Sequence, residues 1–95
     1  MTYLKPDVRI PTIHLNGSDP KTLLADIESV LTPLNQAIAN MGNVTPHGRD
    51  YYPQGEGVTE AAREDHFTRV KKLQSVAEEL IAIARGIQRQ QRDRK

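Results

Sequence analysis

Arg49, Tyr51 and Tyr52 stand within four positions of one another, and His47 lies two residues upstream. An arginine fork suits carboxylate or phosphate, because its N–H donors match the oxygen geometry and carry charge. Tyrosine supplies a flat face for a base or ring and a hydroxyl for hydrogen bonding. Arginine combined with aromatic faces is the usual chemistry for gripping a nucleotide. The same stretch, residues 46–55, carries Gly48 and Gly55, where backbone amides can approach a ligand, and Pro46 and Pro53, which stiffen it. A simple connector needs none of these polar side chains to turn a corner. The competing reading is structural: the tyrosines cap the open end of a helical bundle and Arg49 pairs with an acid.

A second polar patch lies at His14 and Asn16, next to Gly17. An asparagine amide can donate and accept at once, and Asn-Gly is a strong turn dipeptide. Elsewhere the chain offers little chemistry. It has no Gly-rich phosphate loop with lysine, no HExxH and no Gly-x-Ser-x-Gly elbow, so no catalytic residue is assigned and an enzyme is not expected. It contains no cysteine, and His14, His47 and His66 are scattered, so neither a metal nor a cofactor is expected. Asp65 and His66 are adjacent and would point apart on a helix, which makes them a poor acid–base pair.

Two helices must position these patches. The first is expected over about 20–41, opening at Ser18-Asp19-Pro20, where a capping residue precedes a proline tolerated in the first turn. Leu24, Ile27, Leu31, Leu34, Ile38 and Met41 recur in threes and fours, and Leu23, Val30 and Ala37 widen that seam. Pro33 interrupts the run while the seam stays in phase. It implies one helix loosened near 29–32, or two shorter helices breaking at Thr32. Gly42 is the expected stop. The second helix is expected over about 59–90, with Glu60 in its first turn and a seam of His66, Val70, Leu73, Ala77, Leu80, Ala84 and Ile87. Phe67, Val76, Ile81 and Ile83 broaden it. His66 reads as a packed seam residue.

Residues 8–15 are rich in β-branched side chains, with Pro11 removing one backbone donor. No second strand is evident. This extended segment must therefore pair with a copy from another subunit or lie along the helices, since its backbone groups need partners. The single domain 1–95 then divides into an arm and extended segment (1–17), helix one (18–42), a functional loop (43–58) and helix two with a basic tail (59–95). The tail holds Arg89, Arg92, Arg94 and Lys95, read first as a solvated helix end and second as a nucleic-acid contact.

Composition narrows the class. Tyr3, Tyr51, Tyr52 and Phe67 are the whole aromatic content, so the core is aliphatic and alanine-based, favouring helix on helix. A 95-residue chain buries limited surface, and helices of about 33 and 45 Å with wide stripes leave apolar surface uncovered. Both point to homo-oligomerisation. A net charge of +1 exerts no global pull on nucleic acid or membranes, and no apolar run approaches membrane-span length. The default location is cytoplasmic.

Two stretches, Ile10-Pro11-Thr12-Ile13-His14-Leu15-Asn16-Gly17 and Gly48-Arg49-Asp50-Tyr51-Tyr52-Pro53-Gln54-Gly55, resemble those of a group of small phage-encoded proteins of undetermined role. In size, helical content and its arginine–tyrosine loop the chain is also similar in build to phage sponges, which sequester nucleotide signals of bacterial immune systems such as CBASS and Thoeris. No binding residue is carried over from that class.

The sequence thus leads to an all-α antiparallel helical hairpin that oligomerises, with a short N-terminal extended segment. The expected function is non-catalytic sequestration of a small anionic nucleotide-derived signal by Arg49, Tyr51, Tyr52, His47, His14 and Asn16. The alternative is a phage structural or regulatory adaptor that binds protein. Within one hairpin the two patches fall at opposite ends, so a composite site needs another subunit or a fold-back of the N-terminal segment.

Overall fold

A computed structural model describes residues 8–93. The expected loose arm at 1–7 and the last two tail residues, Arg94 and Lys95, lie outside this range. Helix α1 is Pro20–Asn40, α2 is the single turn Gly48–Tyr51, and α3 is Val58–Asp93. Two 3-10 turns, Met41–Val44 and Tyr52–Gln54, flank α2. The fold is all-α, with no strand among the described residues.

Pro20 occupies the first turn of α1, where no N–H is required, and the carbonyl of Asp19 accepts the first helical bond from Leu23 N at 3.0 Å. The Asp19 carboxylate does not cap the backbone and instead accepts from Thr22 Oγ1 at 3.4 Å. Pro33 neither ends nor splits the helix. Both Pro33 and Ser29, whose carbonyl loses its usual donor, are exposed, so water can satisfy the freed group. α1 ends within one residue of the expected 41, but Gly42 is not what stops it. The chain tightens into the 3-10 turn Met41–Val44 instead, and only Gly55 (φ 122°) and Gly57 (φ 82°) carry positive φ among the described residues. Those two glycines turn the chain into α3, whose start is tied by Ala61 N to the Gly57 carbonyl at 3.1 Å. The helix runs slightly beyond the expected 59–90 at both ends and takes in Arg89 and Arg92.

The C-terminal end of α1 lies beside the first turns of α3, where Ile38 and Met41 meet His66 and Val70. At the other end, the residues preceding α1 lie on the last turns of α3. Ile13 N donates to Gln90 Oε1 at 2.8 Å, and Gln90 Nε2 donates to the Pro11 carbonyl at 2.8 Å. Only this amide orientation satisfies both partners, since one can only donate and the other only accept. Ile10 packs into a notch at Gly86, where an added Cβ would fall 2.5 Å from Ile10 Cγ2. The extended segment thus lies along its own helix, one of the two routes its backbone had. Asn16-Gly17 makes the expected turn, with Gly17 N bonded to the His14 carbonyl at 3.1 Å.

The seam positions on both helices are the ones that leave solvent, but mostly halfway. Among the described residues Ala77, His66 and Ile87 are buried, and only Ile87, at 1% exposure, is fully so. The assembly is a rod of 62 × 23 × 21 Å with a thin core.

Candidate functional site

The loop end of the rod is built on three ties. Thr45 folds back on the 3-10 turn, its N and Oγ1 reaching the Gly42 carbonyl at 3.3 and 2.9 Å. That hydroxyl donates its one proton to Gly42, so toward His66 Nε2, 3.4 Å away, it can only accept. The contact gives the buried His66 ring a polar neighbour at the mouth of the loop. Arg63 Nε donates to the Pro46 carbonyl at 3.1 Å, anchoring the loop to the second turn of α3. Local bonds from Asp50 N to the His47 carbonyl and Gly55 N to the Tyr52 carbonyl close the α2 and 3-10 turns. The loop is therefore a wound helical excursion. Gly48 opens it beside Thr59, whose Cγ2 would sit 4.0 Å from an added Cβ, so there is room but no cradle.

Four of the six expected binding residues, His47, Arg49, Tyr51 and Tyr52, share this excursion. His47, Arg49 and Tyr52 are exposed, Tyr52 at 73%, and Tyr51 is half-buried. Among the described residues Arg49 makes no ion pair, which removes the acid partner of its structural reading. His14 and Asn16 are exposed on the turn at the other end. Arg63 and Gln90, which anchor the two ends, are 27 residues apart on one unbroken helix, about 40 Å. A single chain does not bring the six residues together, and the N-terminal segment does not fold back toward the loop.

One feature was not anticipated from the sequence. A half-open cleft of about 300 Å³ lies between the end of α1 and the start of α3. Ile38, Met41, Phe67 and Val70 form its apolar walls, with Thr45, Arg63 and His66 at its polar edge. The signals were present singly: a histidine in an aliphatic seam, the only phenylalanine just beside it, and a methionine facing both. The clue needed was that two helix ends far apart in sequence line one cleft. No buried side-chain nitrogen or oxygen among the described residues lacks a partner, and no three candidate metal-binding side chains gather there. Compared with known proteins, the chain matches no family model, no curated protein and no solved structure.

Proposed function

We propose that this protein is a non-catalytic, self-associating binder of a small anionic ligand of the nucleotide type, held at a contact between copies. The observation that carries the reading is Arg49, with no acid partner among the described residues, three residues from a largely exposed Tyr52, on a helical turn tied to α3. A guanidinium for phosphate and a ring face for a base are offered together, and neither is consumed by the fold. In this reading α1 and α3 form an antiparallel hairpin, and hairpins associate to cover the half-exposed stripe. His14 and Asn16 then join the site from another copy, because their own loop end is about 40 Å away. Sequestration of an immune signal in the cytoplasm of a bacterial host is part of this reading through the likeness in build to phage sponges alone, since the phage-encoded proteins the two stretches resemble have no determined role. Among the described residues no helix is long and apolar enough to cross a membrane.

Isothermal titration against cyclic nucleotides and ADP-ribose derivatives tests it. The expected result is tight binding to one class, ligand recovered unchanged, and at least a tenfold loss in Arg49→Ala. No binding to any member by folded protein would sink the idea. A second reading, a protein-binding adaptor, is favoured by the exposed apolar side chains Val30, Phe67 and Val76. It predicts that Arg49→Ala and Tyr52→Ala leave activity intact, while a polar residue at Leu73 or Ile27 abolishes it.

A further inference from the structure

Leu15 is 93% exposed, at the tip of the turn His14–Gly17. Leucines on loose loops need no explanation, but this one is braced. The Gln90 amide grips the backbone on either side of Thr12, Ile10 fills the Gly86 notch, and the His14 ring covers Gly17 so closely that a Cβ there would lie 2.8 Å from Nε2. Three separate contacts hold an apolar side chain out in water. The turn around it, residues 12–18, carries no carboxylate, lysine or arginine, so it can enter an apolar site without stripping a full charge of water.

The rod also offers a receptor. The cleft walled by Ile38, Met41, Phe67 and Val70 is apolar and half open, and Phe67 on its wall is 67% exposed. Leu15 cannot reach the cleft of its own chain. Ile13 is pinned to Gln90, Leu15 lies within about 7 Å of Ile13, and Val70 is twenty residues, about 30 Å, from Gln90 along α3. We propose that the cleft receives Leu15 of a second copy running antiparallel. Reversing one rod against another brings each tip to the opposite cleft, so both clefts fill and the pair closes on itself. The same reversal sets His14 and Asn16 of one copy at the loop end of the other. The inference rests on the self-association proposed above, but not on the ligand.

The absence of cysteine makes the test clean. Full-length Leu15→Cys/Phe67→Cys protein, mildly oxidised, is expected to give a covalent dimer with two disulfides, because bridging needs Cα atoms within about 7 Å. Either single variant is expected to give none, its two thiols sitting at opposite ends of the pair. Leu15→Asp, with helicity checked by circular dichroism, is expected to weaken association by about tenfold per cleft, about a hundredfold per dimer, in light scattering from 1 to 100 μM. Monomeric wild-type protein overturns both this contact and the self-association. An oligomer that neither cross-links in the double variant nor responds to Leu15→Asp overturns this contact alone. A ladder of larger cross-linked species overturns the antiparallel arrangement. Ligand titration reads out separately, so failure of one reading does not mask the other.

Discussion

The two ends of the rod solve the same problem in different ways. At each, a short segment containing glycine and proline must be fastened to α3. At the turn end the fastening is a notch, a buried neighbour and a side-chain amide: Ile10 at Gly86, the fully buried Ile87, and Gln90 gripping Pro11 and Ile13. At the loop end it is an exposed arginine bond to Pro46 and a 3.4 Å contact between Thr45 and His66. Each end has one exposed and one part-buried bond, and what the turn end adds is the close fit of Ile10, itself 38% exposed, against Gly86. The turn end presents an apolar tip, and the loop end presents Arg49 and Tyr52, whose polar groups have no partner among the described residues.

The contrast can be broken by substitution. Ile87→Ala is expected to have the largest effect, roughly 2–5 kcal/mol of stability lost in chemical denaturation, since the core has few other buried side chains. Gln90→Leu follows, at about 1–2 kcal/mol, because it strands the Ile13 N–H and the Pro11 carbonyl; amide exchange should show Ile13 losing its protection. Gly86→Ala sharpens the comparison further. Alanine favours the helix by up to about 1 kcal/mol, but its Cβ evicts Ile10, so the expected result is a small net change in melting with loss of protection at Ile13. Arg63→Ala and Arg49→Ala should be smallest, within about 0.5 kcal/mol, as both are exposed. A loop-end change that cost as much as Gln90→Leu would erase the distinction.

The helices were legible because their seams repeat in threes and fours, and burial follows those positions from Leu24 to Met41 and from His66 to Ile87. The Asp19-Pro20 start and the Asn16-Gly17 turn were legible because both are local chemistry. What was hidden is long-range. Nothing in Gln90 announces a partner 77 residues away, and Gly86 reads in sequence only as a weak point in a helix. The end of α1 was legible to within one residue, but not its form, because Met41–Val44 continues winding with a tighter hydrogen bond and Gly42 lies inside that turn. The loop residues of the candidate site were visible by type. Their distance from His14 and Asn16 followed from the unbroken length of α3, and the cleft depended on how two helix ends meet in space, which no periodicity encodes.

The Gln90 clamp also leads us to expect an order of events in folding. The Pro11 bond spans 79 residues, and closing a loop of that length in an unfolded chain carries an entropic cost that two hydrogen bonds repay poorly. Once α1 lies against α3, the gap to be closed shrinks to the few residues between Ile13 and Pro20. The segment can then dock quickly, but only after the helices meet. Slowing or speeding that encounter should move the folding rate, whereas removing the Gln90 amide should leave folding unchanged and act on unfolding alone. Residues 8–17 are in this way expected to be the last to find their place.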